Sequence, residues 1–324
     1  MDAIRVAAHG GPEVLDFTET PTPEPGPGQL LVEVAAAGVN FRDTYHRKGL
    51  YPKPVPFTPG GEFAGVVAAV GDGVEGFTVG DKVAGAEDLT GSYAEFTLVD
   101  PDRALRVPEG IELDTAAAAV LQGMTAHYLV RSTWPIKAGD TALVHAAAGG
   151  MGLLLTQWIK NLGGRVIGTV STAEKEAKAR AAGADEVIRY TKVDDLAAAV
   201  RAANGGRGVD VVYDGVGATT FEASLASLRH RGLLALYGAA SGPVPPFDPQ
   251  RLNGGGSLFL TRPTLEHHTE TPAELAWRAG ELFEAIRSGA LEITIGARYP
   301  LAEAAAAHIA LESRATIGKV LLIP

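Results

Sequence analysis

The stretch Thr141-Ala-Leu-Val-His-Ala-Ala-Ala-Gly-Gly-Met-Gly-Leu-Leu-Leu155 decides the fold, because it reads as a strand, a glycine turn and a helix. Residues 141–145 form a short apolar run with β-branched members, which is typical of a strand buried in a parallel sheet. Glycines follow at positions 149, 150 and 152. Apolar residues then recur at helical spacing over residues 153–162, and Gly163-Gly164 predicts the end of that helix.

The glycines of this stretch suit the pyrophosphate of a dinucleotide. Backbone N–H groups at a helix N-terminus bind phosphate where no Cβ stands in the way. Gly149 and Gly150 allow the backbone to approach, and Gly152 allows the helix to pack closely on the strand. Ala147 replaces the first glycine of the usual G-x-G-x-x-G pattern, so the motif alone also fits a glycine-rich turn of any α/β protein.

The residues after the motif alternate regularly between strand and helix patterns. Strands are predicted at Thr141–His145, Arg165–Val170, Glu186–Ile188, Val209–Tyr213, Leu233–Tyr237 and Ser257–Leu260, with helices between them at Thr172–Ala182, Val193–Ala203 and Thr220–Arg229. This alternation predicts an α/β fold with a doubly wound parallel sheet of the Rossmann type. In such folds the ligand lies at the carboxyl ends of the strands.

The residues on either side of this region have a different pattern of predicted secondary structure. Residues 1–122 contain many short strand patterns separated by glycine and proline, which predicts a β-rich domain. A helical stretch over Asp114–Val130, interrupted at Gly123, marks the predicted junction. The tail predicts a helix at Thr271–Ser288, a strand and helix over Arg298–Leu311, and a last strand at Lys319–Ile323. We therefore predict one domain from residues 1–122 and 265–324, and a nucleotide-binding domain at 123–264.

Composition narrows the class of protein. The 324 residues carry a net charge of -10, which argues against nucleic acid or an anionic membrane as the partner. There are no cysteines, which rules out disulfides and thiolate metal sites. No apolar stretch approaches the ~20 residues of a membrane span, and the first residues lack a signal-peptide pattern. We expect a cytoplasmic protein.

The end of the second predicted strand indicates which dinucleotide is bound. An NAD site usually places Asp or Glu there, where the carboxylate accepts hydrogen bonds from the ribose 2′-OH. Here the strand ends in Ser171-Thr172, and Lys175 follows one helical turn later. Hydroxyl groups with a nearby cation suit a 2′-phosphate, and the strand does not end in a carboxylate that would repel it. Glu174 lies beside Lys175, and a solvated lysine on the helix surface is the alternative interpretation of Lys175. The predicted cofactor is NADPH.

Further motifs carry a resemblance that covers nearly the whole chain. They are Gly38-Val-Asn-Phe-Arg-Asp-Thr-Tyr45, Gly49-Leu-Tyr51, Pro59-Gly-Gly-Glu-Phe-Ala-Gly65, His145–Gly152, Tyr213-Asp-Gly-Val-Gly217, Thr261-Arg-Pro263 and Leu311-Glu-Ser-Arg-Ala-Thr-Ile-Gly318. In this order they resemble the zinc-free, zeta-crystallin-like quinone oxidoreductases of the medium-chain dehydrogenase/reductase superfamily. The resemblance implies a GroES-like catalytic domain beside the Rossmann domain. It also implies a homodimer joined through Rossmann edge strands.

The residues themselves argue against a metal. Zinc-dependent members of the superfamily place Cys near the position of Asn40 and His just before Glu62, where this chain has Gly61. His267-His268 is interpreted as a solvated loop rather than a metal site. We predict a reaction without metal.

The resemblance implies a set of cofactor contacts along the chain. Residues 41–45 are expected beside the nicotinamide and its ribose, and glycines 149–152 with Met151 at the pyrophosphate. The full set is Phe41, Arg42, Asp43, Thr44, Tyr45, Tyr128, Gly149, Gly150, Met151, Gly152, Ser171, Lys175, Tyr190, Gly215, Ala239, Ser241, Gly242, Arg262 and Arg314. Arg42 departs from the apolar residue common in the family, and either adds positive charge near the substrate or is merely solvated.

The predicted reaction is quinone reduction by NADPH, by hydride or one-electron transfer. A quinone accepts charge on its own carbonyl oxygens, so the enzyme supplies positioning and hydrogen bonds to the developing oxyanion. Asn40 and Tyr45 are the candidate donors, and Tyr51 is placed at the entrance; aromatic packing explains the two tyrosines as well. Two alternatives stay open, an enoyl or alkenal C=C reductase with Tyr45 as proton donor, and a non-enzymatic NADPH- or RNA-binding protein.

Overall fold

The structure, a computed structural model, describes residues 1–86 and 90–324. The chain folds into two compact units. The first unit comprises Met1–Met124, Thr269–Gly289 and Ile293–Pro324, and the second comprises Thr125–His268 and Ala290–Glu292. The domain boundaries that we predicted at 122/123 and 264/265 stay a prediction.

The helices and strands follow one another along the chain in three stretches. The first contains β1 (Asp2–Arg5), β2 (Asp16–Glu19), β3 (Leu30–Val39), α1 (Phe41–Arg47), β4 (Phe63–Val70), β5 (Lys82–Gly85), β6 (Phe96–Val99), β7 (Leu105–Arg106) and α2 (Leu113–Tyr128). The second contains β8 (Thr141–Val144), α3 (Gly150–Asn161), β9 (Arg165–Val170), α4 (Ala173–Ala181), β10 (Glu186–Arg189), α5 (Leu196–Ala203), β11 (Val209–Asp214), α6 (Phe221–Ser227), β12 (Leu228–Leu236), α7 (Gln250–Gly254) and β13 (Phe259–Thr261). The third contains α8 (Pro272–Arg287), β14 (Ile295–Pro300), α9 (Ala304–Glu312) and β15 (Lys319–Ile323).

The second unit is built on a six-stranded sheet in the order β10-β9-β8-β11-β12-β13. Each neighbouring pair in this sheet is parallel. The chain runs outward from β8 to β10 and then outward again from β11 to β13, so the order reverses between β8 and β11. This is the doubly wound sheet that the alternation predicted, and the reversal is the point at which such sheets bind ligands.

The first unit contains a seven-stranded sheet in the order β14-β15-β3-β4-β5-β7, with β6 paired to β3. The C-terminal strand β15 lies antiparallel to β3, so the tail is joined to the amino-terminal strands as predicted. Apolar side chains of β3, β4 and β15 pack into one core with residues of α9. The β-rich domain predicted from the short strand patterns is therefore built on this sheet and core.

The predicted interruption at Gly123 is wrong, because α2 runs without a break from Leu113 to Tyr128. A glycine in a helix costs about 1 kcal/mol relative to alanine. Packing explains its presence here, since a Cβ at Gly123 would lie 2.5 Å from Cδ1 of Leu282 in α8. The glycine marks a close contact between α2 and α8.

Boundaries predicted in the second unit are also wrong, and two of them show the reason. The helix predicted to reach Arg229 ends at Ser227, because Leu228 pairs with Val209 of β11 and begins β12. The strand predicted from Ser257 begins only at Phe259, because Ser257 has a φ of 56° that a strand does not allow. In both places a pairing or turn that depends on distant residues overrode the local pattern.

Within residues 1–86 and 90–324, no helix has the length and apolar character needed to cross a membrane.

Candidate functional site

The glycine turn between β8 and α3 presents the start of a helix that carries no side-chain cap. Gly149 is the N-cap residue, in extended conformation, and its N–H donates to Ala146 O at 2.9 Å. The first hydrogen bond within the helix is that of Leu153 N–H to Gly149 O, at 2.9 Å. The amides of residues 150–152 therefore have no acceptor within the helix, which is the arrangement that binds an anion at the positive end of the helix dipole.

The turn leaves no room for a side chain at Gly152 and little room at Gly149. A Cβ at Gly152 would lie 2.3 Å from Ala146 O and 2.6 Å from Ala147 Cα. A Cβ at Gly149 would lie 3.3 Å from the same carbonyl oxygen. The close packing predicted for Gly152 is confirmed, and the backbone that it meets belongs to the turn.

The alanine that replaces the first glycine of the motif is accommodated by the neighbouring strand. Ala147 is fully buried, and its methyl group lies 2.7 Å from the place where a Cβ at Gly168 would stand. Gly168 belongs to β9, which pairs with β8. The missing side chain on β9 therefore leaves the volume that the methyl group of Ala147 occupies, and the turn keeps a compact form without the first glycine.

Hydroxyl groups and a lysine gather after β9 and β10. Thr172 caps α4, and its Oγ1 accepts the N–H of Lys175 at 3.2 Å. Ser171 precedes it, and its carbonyl oxygen accepts the hydroxyl of Thr191 at 3.1 Å. Tyr190 follows β10 directly and is exposed. Because β9 and β10 are parallel neighbours, these residues lie at the same edge of the sheet as the glycine turn.

Two acidic residues follow in the first turn of α4. Glu176 forms ion pairs with Arg180 and Arg189, each at 3.1 Å. Glu174 is exposed. Ser171, Thr172 and Lys175 follow β9 in the structure, and their role in binding a 2′-phosphate stays a prediction.

The remaining predicted contacts of the second unit follow β11, β12 and β13. Gly215 follows Asp214, and Ala239, Ser241 and Gly242 lie in the loop after β12, while Arg262 follows β13 and is exposed. Asp214 organises this edge, because its carboxylate accepts the N–H groups of Val216 and Gly217 at 2.8 and 3.0 Å. These positions, too, are at the carboxyl ends of parallel strands.

Tyr128 lies in α2 rather than at a strand end. It is buried, and its ring stacks on His268 with centroids 4.2 Å apart and an interplanar angle of 8°. The interpretation of His267-His268 as a solvated loop is therefore wrong for His268, which is half-buried by this contact. No local pattern around either residue indicates this stacking.

A buried histidine behind the glycine turn was not predicted either. His145 Nε2 lies 2.9 Å from Ser224 Oγ, and Ser224 donates its hydroxyl to Asp214 Oδ2 at 2.7 Å. Since that hydroxyl has one hydrogen, Nε2 of His145 is the donor, and Nδ1 accepts from Thr169 Oγ1 at 2.9 Å. Burial lowers the pKa of His145, against the opposing charge of Asp214, so the imidazole is neutral. This network ties β8 to β9 and α6.

In the first unit, Asn40 stands between β3 and α1 with its amide fully engaged. Its Nδ2 donates to Glu62 Oε2 at 2.8 Å and to Gly38 O at 3.3 Å. Its Oδ1 accepts from Lys319 Nζ at 2.7 Å. Both amide hydrogens are thus committed inside the unit, so donation to an oxyanion requires Asn40 to give up one of these bonds.

Glu62 and Lys319 form a buried ion pair that the sequence did not reveal. Lys319 Nζ donates to Glu62 Oε2, and both side chains are almost completely buried. Glu62 Oε1 also accepts the N–H of Leu121 in α2 at 2.8 Å. The pair joins the start of β15, the loop before β4 and α2, and it holds Asn40 from behind.

Aromatic side chains form a row along α1 and the loop that follows it. Centroids lie 6.4 Å apart for Phe41 and Tyr45, 5.2 Å for Tyr45 and Tyr51, and 5.7 Å for Tyr51 and His46. The Leu50 and Tyr51 N–H groups both donate to Tyr45 O. Tyr45 is buried, whereas Tyr51 is 37% exposed. The row therefore offers an aromatic surface at its Tyr51 end.

The other predicted residues of the first unit differ in exposure. Asp43 and Thr44 are buried, and the Thr44 hydroxyl donates to Phe41 O at 2.7 Å. Arg42 is half-buried, and its Nε donates to His46 Nε2 at 3.3 Å, so it is more than a solvated side chain. Arg314 follows α9 with a φ of 59° and is exposed.

Comparison with known proteins places the chain in a family. It is similar to alcohol dehydrogenase GroES-like domains over residues 26–109 and to zinc-binding dehydrogenases over residues 150–271. A mycobacterial structure complexed with NADPH is 54% identical, with a TM-score of 0.97 and 100% of both chains covered. The Escherichia coli quinone oxidoreductase complexed with NADPH is 44% identical, with a TM-score of 0.98 and the same coverage. A 2-haloacrylate reductase of a Burkholderia species is 43% identical over 97% of this chain and 96% of its own.

The parallel sheet, the glycine turn and the GroES-like sheet define a medium-chain dehydrogenase/reductase. The chain belongs to the quinone oxidoreductase family of that superfamily. The resemblance carried by the sequence motifs is thereby confirmed.

Membership of the superfamily does not decide whether the protein binds zinc, because residues 150–271 match a family described as zinc-binding dehydrogenases. At the two positions where the resemblance places zinc ligands in metal-dependent members, the chain has Asn40 and Gly61. In the described ranges, 1–86 and 90–324, no three His, Cys, Asp or Glu side chains come together as a metal site. A reaction without metal stays a prediction.

Proposed function

We propose that the protein reduces quinones with NADPH. The observation that carries this proposal is that α3 and α4 both begin at the carboxyl ends of neighbouring parallel strands, β8 and β9. The start of α3 presents amides that have no acceptor within the helix, and its N-cap, Gly149, offers them no side chain. The start of α4 presents Ser171, Thr172 and Lys175 with no carboxylate at the end of β9. Relatives of known structure that bind NADPH support the same cofactor.

The residues present fit the cofactor. A Cβ at Gly152 would lie 2.3 Å from Ala146 O, so only glycine lets the start of α3 pack this closely on the turn that would hold the pyrophosphate. The amides there suit the pyrophosphate, and Lys175 with the Ser171 hydroxyl suits the 2′-phosphate. NADPH, when bound, supplies a hydride from its nicotinamide. The chain holds it by its phosphates, and each charge-assisted hydrogen bond contributes ~1.5–3 kcal/mol.

The other cofactor contacts remain proposals carried by the family. We propose that residues 41–45 meet the nicotinamide end and that Tyr128, Tyr190 and Arg262 meet the rest of the dinucleotide. The same holds for Gly215, Ala239, Ser241, Gly242 and Arg314. We propose that Asp43 and Thr44 contact the cofactor with backbone atoms only. Their side chains are buried and already form hydrogen bonds to Asn40 and Phe41.

On the substrate side, we propose that the row from Phe41 to Tyr51 receives the quinone ring. Aromatic rings stack on flat apolar acceptors, and the hydroxyl groups of Tyr45 and Tyr51 supply the polar ends. After hydride arrives, one quinone oxygen carries negative charge, and hydrogen-bond donors aimed at it lower the barrier. Tyr45 is our donor candidate, and Asn40 serves the reaction by holding the start of α1.

A C=C reductase is the second candidate, because the Burkholderia relative is named 2-haloacrylate reductase. That reaction delivers hydride to one alkene carbon and a proton to the other. Tyr45 would then have to supply the proton, whereas a quinone oxygen can take its proton from water. The two functions therefore place different demands on one hydroxyl group.

Cofactor oxidation with two acceptors separates these functions. The wild-type protein is mixed with NADPH and either 1,4-benzoquinone or 2-haloacrylate, with NADH as the control cofactor. We expect fast oxidation with NADPH and quinone. Tyr45→Phe should lower quinone turnover about two- to fivefold and abolish alkene turnover, because only the alkene needs the proton from Tyr45. Turnover of the alkene alone would move the protein to the C=C reductases. Electron spin resonance of the product distinguishes one-electron from hydride transfer.

We further propose a homodimer joined through β13. This strand is the edge of the six-stranded sheet, and Phe259 on it is 56% exposed. An exposed strand edge with a large apolar side chain favours pairing with a second copy. Sedimentation of the wild type and of Phe259→Glu tests this, since the charged variant should be a monomer. A cytoplasmic location stays a proposal that cell fractionation tests.

A further inference from the structure

A closed ring of buried side chains holds α1 in the first unit, and the reaction described so far does not use it. Tyr93 Oη donates to Asp43 Oδ2 at 3.0 Å, and His308 Nε2 lies 3.1 Å from Tyr93 Oη. Arg47 Nη1 lies 2.9 Å from His308 Nδ1. Asp43 and Arg47 are four residues apart on α1, so the ring leaves the helix at one turn and returns to it at the next.

Each hydrogen bond in this ring has one possible direction. Arginine has no acceptor atom, so Arg47 donates to Nδ1 of His308. Nε2 of His308 therefore carries the hydrogen and donates to Tyr93, and Tyr93 donates to the carboxylate of Asp43. Burial lowers the pKa of His308 to about 3, with the charge of Arg47 acting in the same direction. The imidazole thus stays neutral at ordinary pH, and the order of donors is fixed.

The ring is anchored at the surface by α9. Arg47 Nη2 donates to Glu312 Oε2 at 2.9 Å, and Lys48 pairs with the other oxygen of the same carboxylate. Arg47 Nε also donates to Gly10 O at 3.2 Å. His308 and Glu312 lie one turn apart on α9, so that helix supports the C-terminal end of α1 with two side chains.

At its other end the ring reaches the first turn of α1. Asp43 Oδ2 accepts the backbone N–H of Asn40 at 2.8 Å, as well as the Tyr93 hydroxyl. Asn40 begins the helix that carries Phe41 and Tyr45. A carboxylate is a stronger acceptor than a neutral carboxyl group, so both hydrogen bonds weaken when Asp43 takes up a proton.

We propose that Asp43 and Tyr93 are positioning residues for quinone reduction, and that the ring holds the first turn of α1 in its active place while Asp43 is ionised. The role in turnover rests on the proposed function, because it assumes that Phe41 and Tyr45 of α1 meet the reactants. The hold of the ring on Asn40 does not depend on that assumption.

The charge state of Asp43 changes within an accessible pH range. Burial raises the pKa of the Asp43 carboxyl to about 6, against the lowering effects of the bonds from Asn40 and Tyr93. The charges that face the ring are those of Lys319 and Arg42 toward Asp43, Glu62 and Arg47 toward Tyr93, and Arg47, Glu312 and Lys48 toward His308. The active, ionised form is therefore present above this pKa and is lost as the pH falls through about 6.

The test compares four proteins over pH 5–9: wild type, Tyr93→Phe, Asp43→Asn and the control Tyr299→Phe. Tyr299 in β14 packs against the same core, so its variant also loses one tyrosine hydroxyl from this unit. Steady-state kcat and KM are measured with NADPH and 1,4-benzoquinone. The backbone amide resonance of Asn40 is followed by NMR over the same range, which reports its bond to Asp43 without any need for turnover.

We expect the acid limb of kcat and the Asn40 titration to share one midpoint in the wild type. In Tyr93→Phe both midpoints should rise by about one pH unit, since a donor to the carboxylate is lost. In Asp43→Asn both titrations should vanish, with kcat lowered about tenfold at every pH and KM nearly unchanged, as expected for lost positioning. Tyr299→Phe should match the wild type.

Contrary outcomes are separable. An acid limb that stays in place in Tyr93→Phe, while the Asn40 titration moves, would overturn the role in turnover. An Asn40 resonance that does not titrate in the wild type would overturn the ring itself. If Tyr93→Phe does not fold, the neutral isostere Asp43→Asn decides by the loss or survival of the acid limb. Absence of quinone turnover in the wild type would refute the proposed function but not the ring. The NMR titration of Asn40 would still test whether the ring holds Asn40.

Discussion

Helices α3 and α4 lie on successive crossovers of one sheet, yet they begin in opposite ways. The first turn of α4 is closed from within, because the hydroxyl of Thr172 accepts the N–H of Lys175. The first turn of α3 follows Gly149, which has no side chain to offer. A glycine N-cap is only a few tenths of a kcal/mol less stable than a hydroxyl cap. At α3, a small loss of helix stability leaves first-turn amides available to a ligand. At α4, the capped first turn instead fixes the positions of Ser171 and Lys175, the residues on either side of the cap.

The largest expected effect comes from filling the open start. Gly150→Val puts a branched side chain on the first residue of α3, beside the amides that we assign to the pyrophosphate. NADPH affinity should fall at least about 100-fold, the equivalent of one or more charge-assisted hydrogen bonds. Calorimetric titration measures this. Gly280→Val in α8 is the matched control, since a Cβ there meets nothing within 4 Å. A folded Gly150→Val protein with wild-type affinity would contradict the assignment.

The next effect separates the two cofactors at the start of α4. Lys175→Ala should weaken NADPH binding about 10- to 100-fold, because the ammonium pairs with the 2′-phosphate, and should leave NADH unaffected. Lys178→Ala, an exposed lysine on the same helix, is the control and should change neither affinity. Equal losses for both cofactors in Lys175→Ala would remove the reason for preferring NADPH.

A smaller effect is expected from giving α3 the kind of cap that α4 has. Gly149→Ser offers the first-turn amides a hydroxyl acceptor, which competes with the cofactor phosphate. NADPH affinity should fall about 1.5- to 2-fold, since a hydroxyl cap exceeds a glycine cap by only a few tenths of a kcal/mol. The thermal midpoint of the cofactor-free protein should not fall. The new Cβ lies 3.3 Å from Ala146 O, so a small shift of the turn is needed. Tighter NADPH binding by the variant would contradict the assignment of the α3 amides to the cofactor phosphate.

The smallest effect tests whether the cap of α4 is only structural. Thr172→Ala should lower the free energy of unfolding by about 1 kcal/mol, the usual value of a lost N-cap. NADPH affinity should change less than twofold. Urea unfolding and cofactor titration measure the two quantities, and Thr172→Ser should restore the first. An affinity loss as large as that of Lys175→Ala would instead place the Thr172 hydroxyl on the cofactor.

The same contrast explains how much could be predicted from sequence. Periodicity and the positions of glycines are local signals, and they placed β9 and β15 with the bounds that the structure has. They also located α3 and the cap residue of α4. Where a distant partner decides, the local pattern failed. Gly123 lies against Leu282, and Leu228 pairs with Val209, so neither boundary was visible in its own neighbourhood.

The polar interior was beyond sequence reasoning for the same physical reason. The motif pointed to Asn40, but Lys319 lies 279 residues away in the chain and Glu62 looked like an ordinary motif residue. His145 was assigned only to a strand, because its partners Thr169 and Ser224 come from two other elements. A buried polar residue reveals its role through its partners, and tertiary structure alone brings those partners together.

The contact between Arg47 and His308 also sets an order of assembly. The two residues are separated by 261 positions, so α1 emerges from the ribosome long before the helix that secures it. Helix α1 has seven residues, too few to be stable alone in water. At ~5–20 residues per second, synthesis of the intervening chain takes on the order of 10–50 seconds. Through that interval the segment that bears Phe41 and Tyr45 lacks the contact between Arg47 and His308. The parallel sheet of the second unit can therefore form on a nascent chain before the segment that bears Phe41 and Tyr45 is secured.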